Sequence, residues 1–447
     1  MSALRHSYSG ARRQPRGAAS LIVVMVLFFL LSLVAAYSGR NLIFEQRTSV
    51  NQFRAVQAFE AAEAGVEWAL AMLNGCRIIN DCLEATATTA QTSFRQRYLN
   101  IDPITGMVTP RMTAAGGMMT PSCWFNGTNW ICSCPEDATL VTKPANWGND
   151  VYPAFRIRFV TTNVVRPGVI GIESQGCTRL DPACLGFPAT ALESEGRAVV
   201  TAFIGLKPAL ATPPAAALTV SGTVAAGAVV NAYNTEADRG GIALHVGVAA
   251  NPAAVLQLRG LPGTPPSAAA VLTDTPLTRL TDLPNRMLPT ILGSWPNTYQ
   301  NQPAVVPFTC PAGDCRAALA NQVALNPGRI FWIRGDLTLG TAGDIGSLPN
   351  PANTAVAGPV MLVVAGKVFT TPGVRIFGFV YLLDDLPLGP PVGAWEGEGE
   401  IQGAAFIEGN LGATAAPTVN LVGSVMDAMR RQSGSFVRLP GSWKDFE

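Results

Sequence analysis

The stretch RGAASLIVVMVLFFLLSLVAAYSGR, residues 16–40, decides how the rest of the chain is interpreted. From Ala18 to Gly39 it carries no charge over 22 residues. As an α-helix this run spans about 33 Å, close to the thickness of a bilayer's hydrocarbon core. Arginines cluster before the run and the first acidic residue after it is Glu45, so the positive-inside tendency places the N terminus in the cytoplasm. The sequence predicts a membrane-spanning helix with the remaining chain outside, and a cleaved secretory signal is the alternative.

The residues that follow predict a helix that continues beyond the membrane. NLIFEQRTSVNQFRAVQAFEAAEAGVEWALAMLNG, residues 41–75, contains no proline and repeats apolar residues at helical spacing. The predicted helix runs from Ala18 to Asn74, about 85 Å, and Gly75 fits its end. An anchor followed by a coiled-coil stalk is the alternative, although no heptad register is sustained.

The order and spacing of these segments resemble the N-terminal region of type IV pilins and pseudopilins, and specifically of the PilX-like minor pilins. The resemblance covers residues 12–73, where RRQPRGAASLIVVMVLFFLLSLVAA is followed by FEAAEAG. It implies that a membrane peptidase cuts between Gly17 and Ala18 and that Ala18 becomes the methylated first residue. Residues 1–17 are then a leader, and residues 18–75 form the transmembrane and assembly helix. Gly17 suits the cut because a residue without Cβ permits an extended, narrow backbone.

Ile22 departs from the pilin pattern. The resemblance implies glutamate as the fifth mature residue, where it neutralises the terminal amine of a neighbouring subunit inside the filament. The chain has Ile22 there. A buried carboxylate is costly unless it is paired, so its absence fits a subunit that has no such neighbour, as in the K-type pseudopilins. We therefore expect a position at the filament tip.

The segment 76–206 predicts a disulfide-bearing, pilin-like head. YPAFRIRFV, GVIGIESQGCT and GRAVVTAFIGL indicate three antiparallel strands, and CWFNGTNWICSC predicts a hairpin around its Asn-Gly pair. We expect this sheet to cover the outer half of the long helix. Glu60, Glu63 and Glu67 then form a solvated stripe on that helix, with pairing to basic groups of adjacent subunits as the alternative.

A proline- and alanine-rich stretch predicts a linker at 207–218 before a glycine-rich outer domain, 219–447. Pieces such as RIFWIRGDLTLG end at glycines, as the tight corners of stacked β-solenoid coils require. A β-sandwich with long loops is the alternative. The predicted fold class is α+β: a long pilin helix, an antiparallel head and a β-rich outer domain.

Nine cysteines in an exported chain predict disulfides. The closely spaced candidates are Cys76 with Cys82, Cys177 with Cys184, and Cys310 with Cys315. The pairing of Cys123, Cys132 and Cys134 stays open. Free buried thiols are the alternative; zinc is disfavoured because the chain has two histidines and Cys132-Ser-Cys134 lacks zinc-site spacing.

Signals of catalysis or of nucleic-acid binding are scarce in the sequence. The net charge is +1, so no nucleic-acid partner is expected. No phosphate loop or nucleophile elbow occurs, and His245 is interpreted as a strand residue. The set Glu396, Glu398 and Glu400 is interpreted as an exposed loop rather than a calcium site, and Asp384 with Asp385 is a weaker signal. Trp395, Phe406 and Trp443 are assigned to core packing, with a ligand groove as the alternative. A solenoid hydrolase or lyase would need a clear carboxylate set, so we expect no enzyme, metal or cofactor.

The resulting hypothesis is a minor pilin of a type IV pilus, located in the tip or initiation complex that primes assembly. The alternatives are a K-like pseudopilin of type II secretion and a pilus-borne adhesive module. The expected partners are other minor and major pilins, the prepilin peptidase and the inner membrane, with a large tip adhesin as a further candidate. The expected location is the inner membrane before assembly, with a cytoplasmic N terminus and a periplasmic head, and the extracellular pilus afterwards.

Overall fold

The computed structural model describes residues 17–86, 91–137, 152–161, 166–187, 196–263, 270–280, 287–311, 313–350, 358–383 and 394–445. The chain begins with α1 (Gly17–Leu73), β1 (Arg77–Ile78), β2 (Thr92–Ser93), α2 (Phe94–Tyr98), β3 (Leu99–Ile101), β4 (Val108–Pro110), β5 (Ser122–Phe125), β6 (Trp130–Ser133), β7 (Ala154–Val160), β8 (Val169–Cys177) and β9 (Arg197–Pro208).

It continues with β10 (Leu218–Val220), β11 (Val229–Tyr233), β12 (Leu244–Val246), β13 (Val255–Arg259), β14 (Val271–Thr273), α3 (Met287–Leu292), α4 (Pro296–Tyr299), β15 (Val305–Phe308), α5 (Arg316–Leu325), β16 (Ile330–Arg334), β17 (Leu337–Leu339), β18 (Gly343–Ile345), β19 (Val360–Ala365), β20 (Val368–Thr370), β21 (Val374–Leu382), β22 (Trp395–Ile407), β23 (Ala415–Asn420), α6 (Gly423–Arg431) and β24 (Gly434–Arg438). Short 3₁₀ turns occupy Ala237–Arg239 and Thr275–Leu280.

The long helix predicted from the sequence is confirmed. Helix α1 is continuous over 57 residues, about 85 Å by its rise per residue. The amide of Gly75 donates to Met72 O at 3.0 Å, which closes the last turn where the sequence places the stop. The head buries only the final part of the helix, where the fully buried side chains are Ala58, Ala61, Ala62, Val66, Ala69 and Leu73.

A six-stranded antiparallel sheet in the order β24-β9-β8-β7-β5-β6 packs on this buried part of α1. The three strands and the hairpin predicted for the head are all present as β7, β8, β9 and the β5–β6 pair. Gly176 on β8 sets the closeness of the packing, since a Cβ there would lie 2.1 Å from Ala58 O and 2.5 Å from the Ala62 nitrogen. The small residues of the FEAAEAG segment therefore allow the helix and sheet backbones to approach closely.

The outer domain is built from parallel strands. One sheet runs β15-β16-β19-β21-β22-β10-β12-β14, and a second runs β18-β21-β22-β23-β11-β13; every pair in both is parallel. Coils of a solenoid produce this pairing, whereas a β-sandwich is built from antiparallel strands.

The long strands β21 and β22 each bend and take part in both sheets. The bend of β21 lies at Gly378 (φ +157°) and the bend of β22 at Gly403 (φ +153°). A Cβ on Gly378 would lie 1.8 Å from Val360 O, and one on Gly403 would lie 1.9 Å from Gly378 O. The stacked corners therefore require glycine at both positions.

The coils do not stack in sequence order. Strands β10 and β11 come first in the chain, yet they pair with β22 and β23, the last strands of the solenoid. From there β12, β13 and β14 extend outward, and the chain then returns to the far end at β15 and winds back. Non-local pairing of this kind cannot be read from local strand signals.

The outer domain is an insertion between two neighbouring strands of the head. Gly434 of β24 pairs with Pro208 of β9, and the Ala209 amide donates to Ser433 O at 2.9 Å. Residues 434–438, which the sequence assigns to the outer domain, thus belong to the head sheet. The segment 207–218 also differs from the expected linker, because Ala209, Leu210, Ala216 and Ala217 are buried.

The disulfides agree with two of the three predicted pairs. Cys177–Cys184 and Cys310–Cys315 are bonded, and the open set resolves into Cys123–Cys132 and Cys82–Cys134. The expected Cys76–Cys82 bond is absent and Cys76 is a free thiol. The reason is a long-range backbone contact: the Cys134 amide donates to Asn80 O at 2.7 Å, which brings Cys134 to the turn that holds Cys82.

Candidate functional site: the exposed helix and its junction with the head

Helix α1 is exposed from Ser20 to Phe53. Its most apolar 18-residue window has a mean hydropathy of 2.7 and no buried residue, and by length and composition it can cross a membrane. Ile22, the position of the missing glutamate, is 62 % exposed on this surface. Gly17 is the first helical residue and Ala18 the second.

A second exposed apolar surface lies between the membrane-length segment and the head. Leu42, Val50, Phe53 and Val56 share one side of α1 at helical spacing and are 56, 48, 67 and 55 % exposed. This surface lies beyond the part of the helix that a bilayer would cover. The described residues of the head leave it exposed and border it at Val56, beside Arg197 and Val199. An apolar stripe of this kind is typical of a surface that another protein covers.

A basic stripe accompanies the apolar one. Arg40, Arg47 and Arg54 recur every seventh residue, which places them on one side of a helix. The acidic stripe Glu60, Glu63 and Glu67 follows closer to the head. Glu67 forms an ion pair with Arg438 of β24 at 2.9 Å, so this part of the stripe has a partner within its own chain.

The end of α1 is fixed to the edge strand β24 of the head sheet. Asn74 is buried; its Nδ2 donates to Phe436 O at 2.9 Å and its Oδ1 accepts from the Phe436 amide at 2.8 Å. Asn74 therefore supplies the hydrogen bonds that a further strand would make to β24.

Arg95 on α2 completes this junction. A capping box of Ser93 and Gln96 begins α2, and Arg95 then donates to Leu73 O, Gln432 O and Gly434 O at 3.2, 3.2 and 2.8 Å. Burial lowers the pKa of Arg95 to about 9. One buried cation thus ties the helix end to the chain that returns from the outer domain.

Arg77 and Arg97 reinforce the same region. Arg77 donates to Ala324 O at 2.6 Å, across to helix α5 of the outer domain. Arg97 donates to Ile78 O at 3.0 Å and Cys134 O at 2.5 Å. The roles of Asn74 and these arginines could not be predicted from the sequence. Their partners are backbone groups distant along the chain.

The aromatic residues singled out in the sequence do not form one groove. Trp395 and Phe406 are 1 % exposed inside the solenoid. Trp443 lies elsewhere and packs edge to face on Phe59 of α1 at 6.0 Å between ring centroids. Core packing is therefore the role of Trp395 and Phe406.

The charged candidates form no common site. Glu396, Glu398 and Glu400 lie on strand β22 and not in the exposed loop expected from the sequence. Glu396 pairs with Lys367 at 3.3 Å, while Glu400 accepts from Asn420 Nδ2 at 3.0 Å. His245 lies on β12 with Asp274 Oδ2 at 3.5 Å from Nε2, and burial lowers its pKa. Asp384 and Asp385 lie outside the described residues. In the part of the chain that the structure describes, no cluster of three or more His, Cys, Asp or Glu side chains is placed to hold a metal ion.

The N-terminal region is similar to a known protein family. Residues 16–67 match the family model described as PilX N-terminal. This region is therefore of the type IV pilin class. Within that class it is PilX-like, which confirms the resemblance drawn from the leader, the apolar helix and FEAAEAG.

The other two comparisons add little. No curated protein matches the chain. Among solved structures, the crystal structure of the competence-associated pilin ComZ from Thermus thermophilus aligns over 88 % of this chain and 97 % of its own, at 14 % identity. The TM-score is 0.19, so the superposition has no weight for fold or function. The α+β architecture rests on the elements described above.

Proposed function

We propose that the protein is a minor pilin that enters a type IV pilus by packing its helix α1 among the helices of other pilins. The observation that carries this proposal is the exposed apolar side of α1 at Leu42, Val50, Phe53 and Val56, within a region that matches the PilX N-terminal family. Burial of apolar area is worth about 25 cal/mol per Å². Neighbouring helices would supply that burial once the helix leaves the bilayer.

Processing at the N terminus is part of the proposal. The prepilin peptidase cuts between Gly17 and Ala18 on the cytoplasmic side, and Ala18 is methylated. The periplasmic head then stays anchored in the inner membrane until assembly. Intact mass of the purified subunit tests the step: in a peptidase-deficient strain the subunit should retain residues 1–17 and lack the methyl group.

A place at the filament tip follows from two features. Ile22 provides no carboxylate to neutralise a neighbour's terminal amine. The outer domain adds a large body, which is held against the head by the bonds of Arg77 to Ala324 O and of Arg95 to Gln432 O. A tip subunit has no neighbour beyond it and so has room for such a body. Its role there is structural, through packing, and no reaction is assigned to it.

Site-specific photocrosslinking tests incorporation. A crosslinking amino acid at Phe53 should capture other pilins, whereas one at Ile104, which is 77 % exposed on the head, serves as the matched control. Absence of pilin adducts from Phe53 in piliated cells would rule out the proposed packing. Immunogold labelling of the outer domain should mark filament ends, and gold along the shaft would contradict the tip position.

A K-like pseudopilin of a type II secretion system is the second candidate, because Ile22 fits it equally well. Deletion of the whole gene distinguishes the two, since loss of surface pili supports the pilus and loss of an exported enzyme with pili intact supports secretion.

The role of the outer domain is tested separately. Because Ala209 and Ser433 are adjacent, residues 210–432 can be replaced by an Asn-Gly turn. Filaments that assemble but no longer attach would indicate an adhesive module and a possible link to a larger tip adhesin.

A further inference from the structure

One outward face of the solenoid carries an uninterrupted row of polar side chains. The row crosses β13, β11, β23, β22, β21 and β18, and each member is in direct register with the next. We call this row the polar ladder; its members are Gln257, Asn231, Thr418, Glu400, Arg375 and Asp344. With strands about 4.8 Å apart, the ladder is about 24 Å long.

A second row lies beside the polar ladder, two residues further along each strand. It places Arg259, Tyr233, Asn420 and Gln402 in register. The Arg259 guanidinium lies 5.2 Å from the centroid of the Tyr233 ring. The neighbouring positions on the other side are Val255 and Val229, and Val255 is 50 % exposed. The face therefore combines amides, a phenol ring and a narrow apolar border.

Hydrogen bonds within the face hold its side chains in place. Asn231 Nδ2 donates to Thr418 Oγ1 at 3.1 Å, and Asn420 Nδ2 donates to Glu400 Oε1 at 3.0 Å. Gln402 also donates to Glu400. A surface whose side chains are already ordered loses less conformational entropy when a ligand binds.

The charges of the polar ladder and the second row cancel, and exposed Glu398 adds a negative charge at their border. Arg375 forms a two-pronged pair with Asp344 at 2.8 and 2.9 Å, and Arg259 offsets Glu400. Nucleic-acid binding rests on an excess of positive charge, which this face lacks. Protein interface cores are mainly apolar and poor in charge, which also differs from it.

We propose that the polar ladder and its neighbouring row bind an extended, uncharged polysaccharide. Each sugar hydroxyl both donates and accepts hydrogen bonds, as do the amides of Asn and Gln. The Tyr233 ring and Val255 offer apolar surface to the C–H faces of the sugar rings, since aromatic side chains combine an apolar body with a polar end. Repeat and solenoid proteins use extended surfaces for binding. The long axis of the bound chain runs across the strands.

Affinity electrophoresis of the purified full-length chain in detergent tests the proposal. The gels contain hydroxyethyl cellulose, xyloglucan, galactomannan, dextran or soluble starch, and parallel gels contain alginate. The expected result is retardation by at least one neutral polysaccharide and none by alginate. Retardation by none of the neutral polymers overturns the proposal, as does binding of double-stranded DNA in their place.

Variants then locate the binding surface. Tyr233→Ala and Gln257→Ala should each weaken binding by about tenfold, the effect of losing about 1.4 kcal/mol. Phe369→Ala is the matched control, because Phe369 is a half-buried, outward-facing aromatic on β20, outside the proposed surface. Gln257 is exposed, so its variant keeps the test valid if Tyr233→Ala fails to fold. Equal loss in Phe369→Ala, or unchanged binding in both Tyr233→Ala and Gln257→Ala, would refute the assignment. The assay needs no filament, so its outcome is independent of the proposed place in the pilus.

Discussion

Asn74 at the end of α1 pairs with Phe436 of β24 as though it were a strand, with 2.9 Å from its Nδ2 to Phe436 O and 2.8 Å from the Phe436 nitrogen to its Oδ1. Phe436 comes 362 residues later in the chain, after the whole outer domain. This pair closes the free edge of the head sheet. It also joins helix α1 to the chain that leaves the solenoid.

Replacing Asn74 should therefore loosen β24. In Asn74→Ala the amide and carbonyl of Phe436 lose a buried partner, and an unsatisfied buried group costs about 1–3 kcal/mol. Hydrogen–deuterium exchange of the 434–438 segment should accelerate about 5- to 150-fold. Asn51→Ala, an exposed residue on the same helix, should leave that exchange unchanged. Equal protection in both variants would show that the pair does not hold the edge.

Gly176→Ala should separate the helix from the sheet. The new Cβ would lie 2.1 Å from Ala58 O, a backbone atom that cannot move aside without shifting α1. Overpacking of this kind costs about 1–3 kcal/mol. The head should unfold at a lower temperature, and tryptophan fluorescence would measure the midpoint of unfolding. Gly39→Ala is the control, because an added Cβ there has no neighbour within 4 Å, and a similar midpoint for both variants would contradict the steric explanation.

The disulfide that joins the most distant cysteines and the one that joins the nearest cysteines should differ in their contribution to stability. Cys82–Cys134 closes a separation of 52 residues and Cys310–Cys315 one of 5. The chain-entropy relation assigns about 4 kcal/mol to the former and about 2 kcal/mol to the latter. The Cys82→Ser/Cys134→Ser variant should thus unfold at lower denaturant concentration than Cys310→Ser/Cys315→Ser. The reverse order would indicate that the Cys82–Cys134 loop is already constrained.

Alkylation tests which cysteines are joined in disulfides. In unfolding but non-reducing buffer, the reagent should label Cys76 and no other cysteine, as read by peptide mass mapping. In the native protein labelling should be slow below pH 11, since burial and nearby Glu84 raise the pKa of the Cys76 thiol to about 11. Label on Cys82 or Cys134 would contradict the bond between them.

Stability of the solenoid should fall as pH drops below 6.5. Burial lowers the pKa of His245 relative to the unfolded chain, despite Asp274 nearby. The unfolded state therefore takes up a proton at higher pH than the folded state, which favours unfolding on acidification. The thermal midpoint should be lower at pH 5.5 than at pH 7.5, and His245→Gln should reduce the difference. In a chain from which residues 1–17 have been removed, His245 is the one remaining histidine, so an undiminished difference in the variant would rule out His245 as its source.

The PilX-like helix, the antiparallel strands β7 to β9 and the β5–β6 hairpin could be predicted because their signals are local. A run without charge from Ala18 to Gly39, helical spacing up to Leu73 and an Asn-Gly turn each act within a few residues of chain. The same holds for the bonds Cys177–Cys184 and Cys310–Cys315, whose short loops bring their ends together.

Only the tertiary structure decided that the outer domain is inserted between β9 and β24, that β10 and β11 stack on β22 and β23, and that Cys82 pairs with Cys134. It also brought the six members of the polar ladder into one row from widely separated strands. These features depend on partners far apart in the chain, which are selected by backbone hydrogen bonding, close packing and burial across the whole molecule. The sequence determined which segments form helix and strand, whereas the packed fold determined which of them meet.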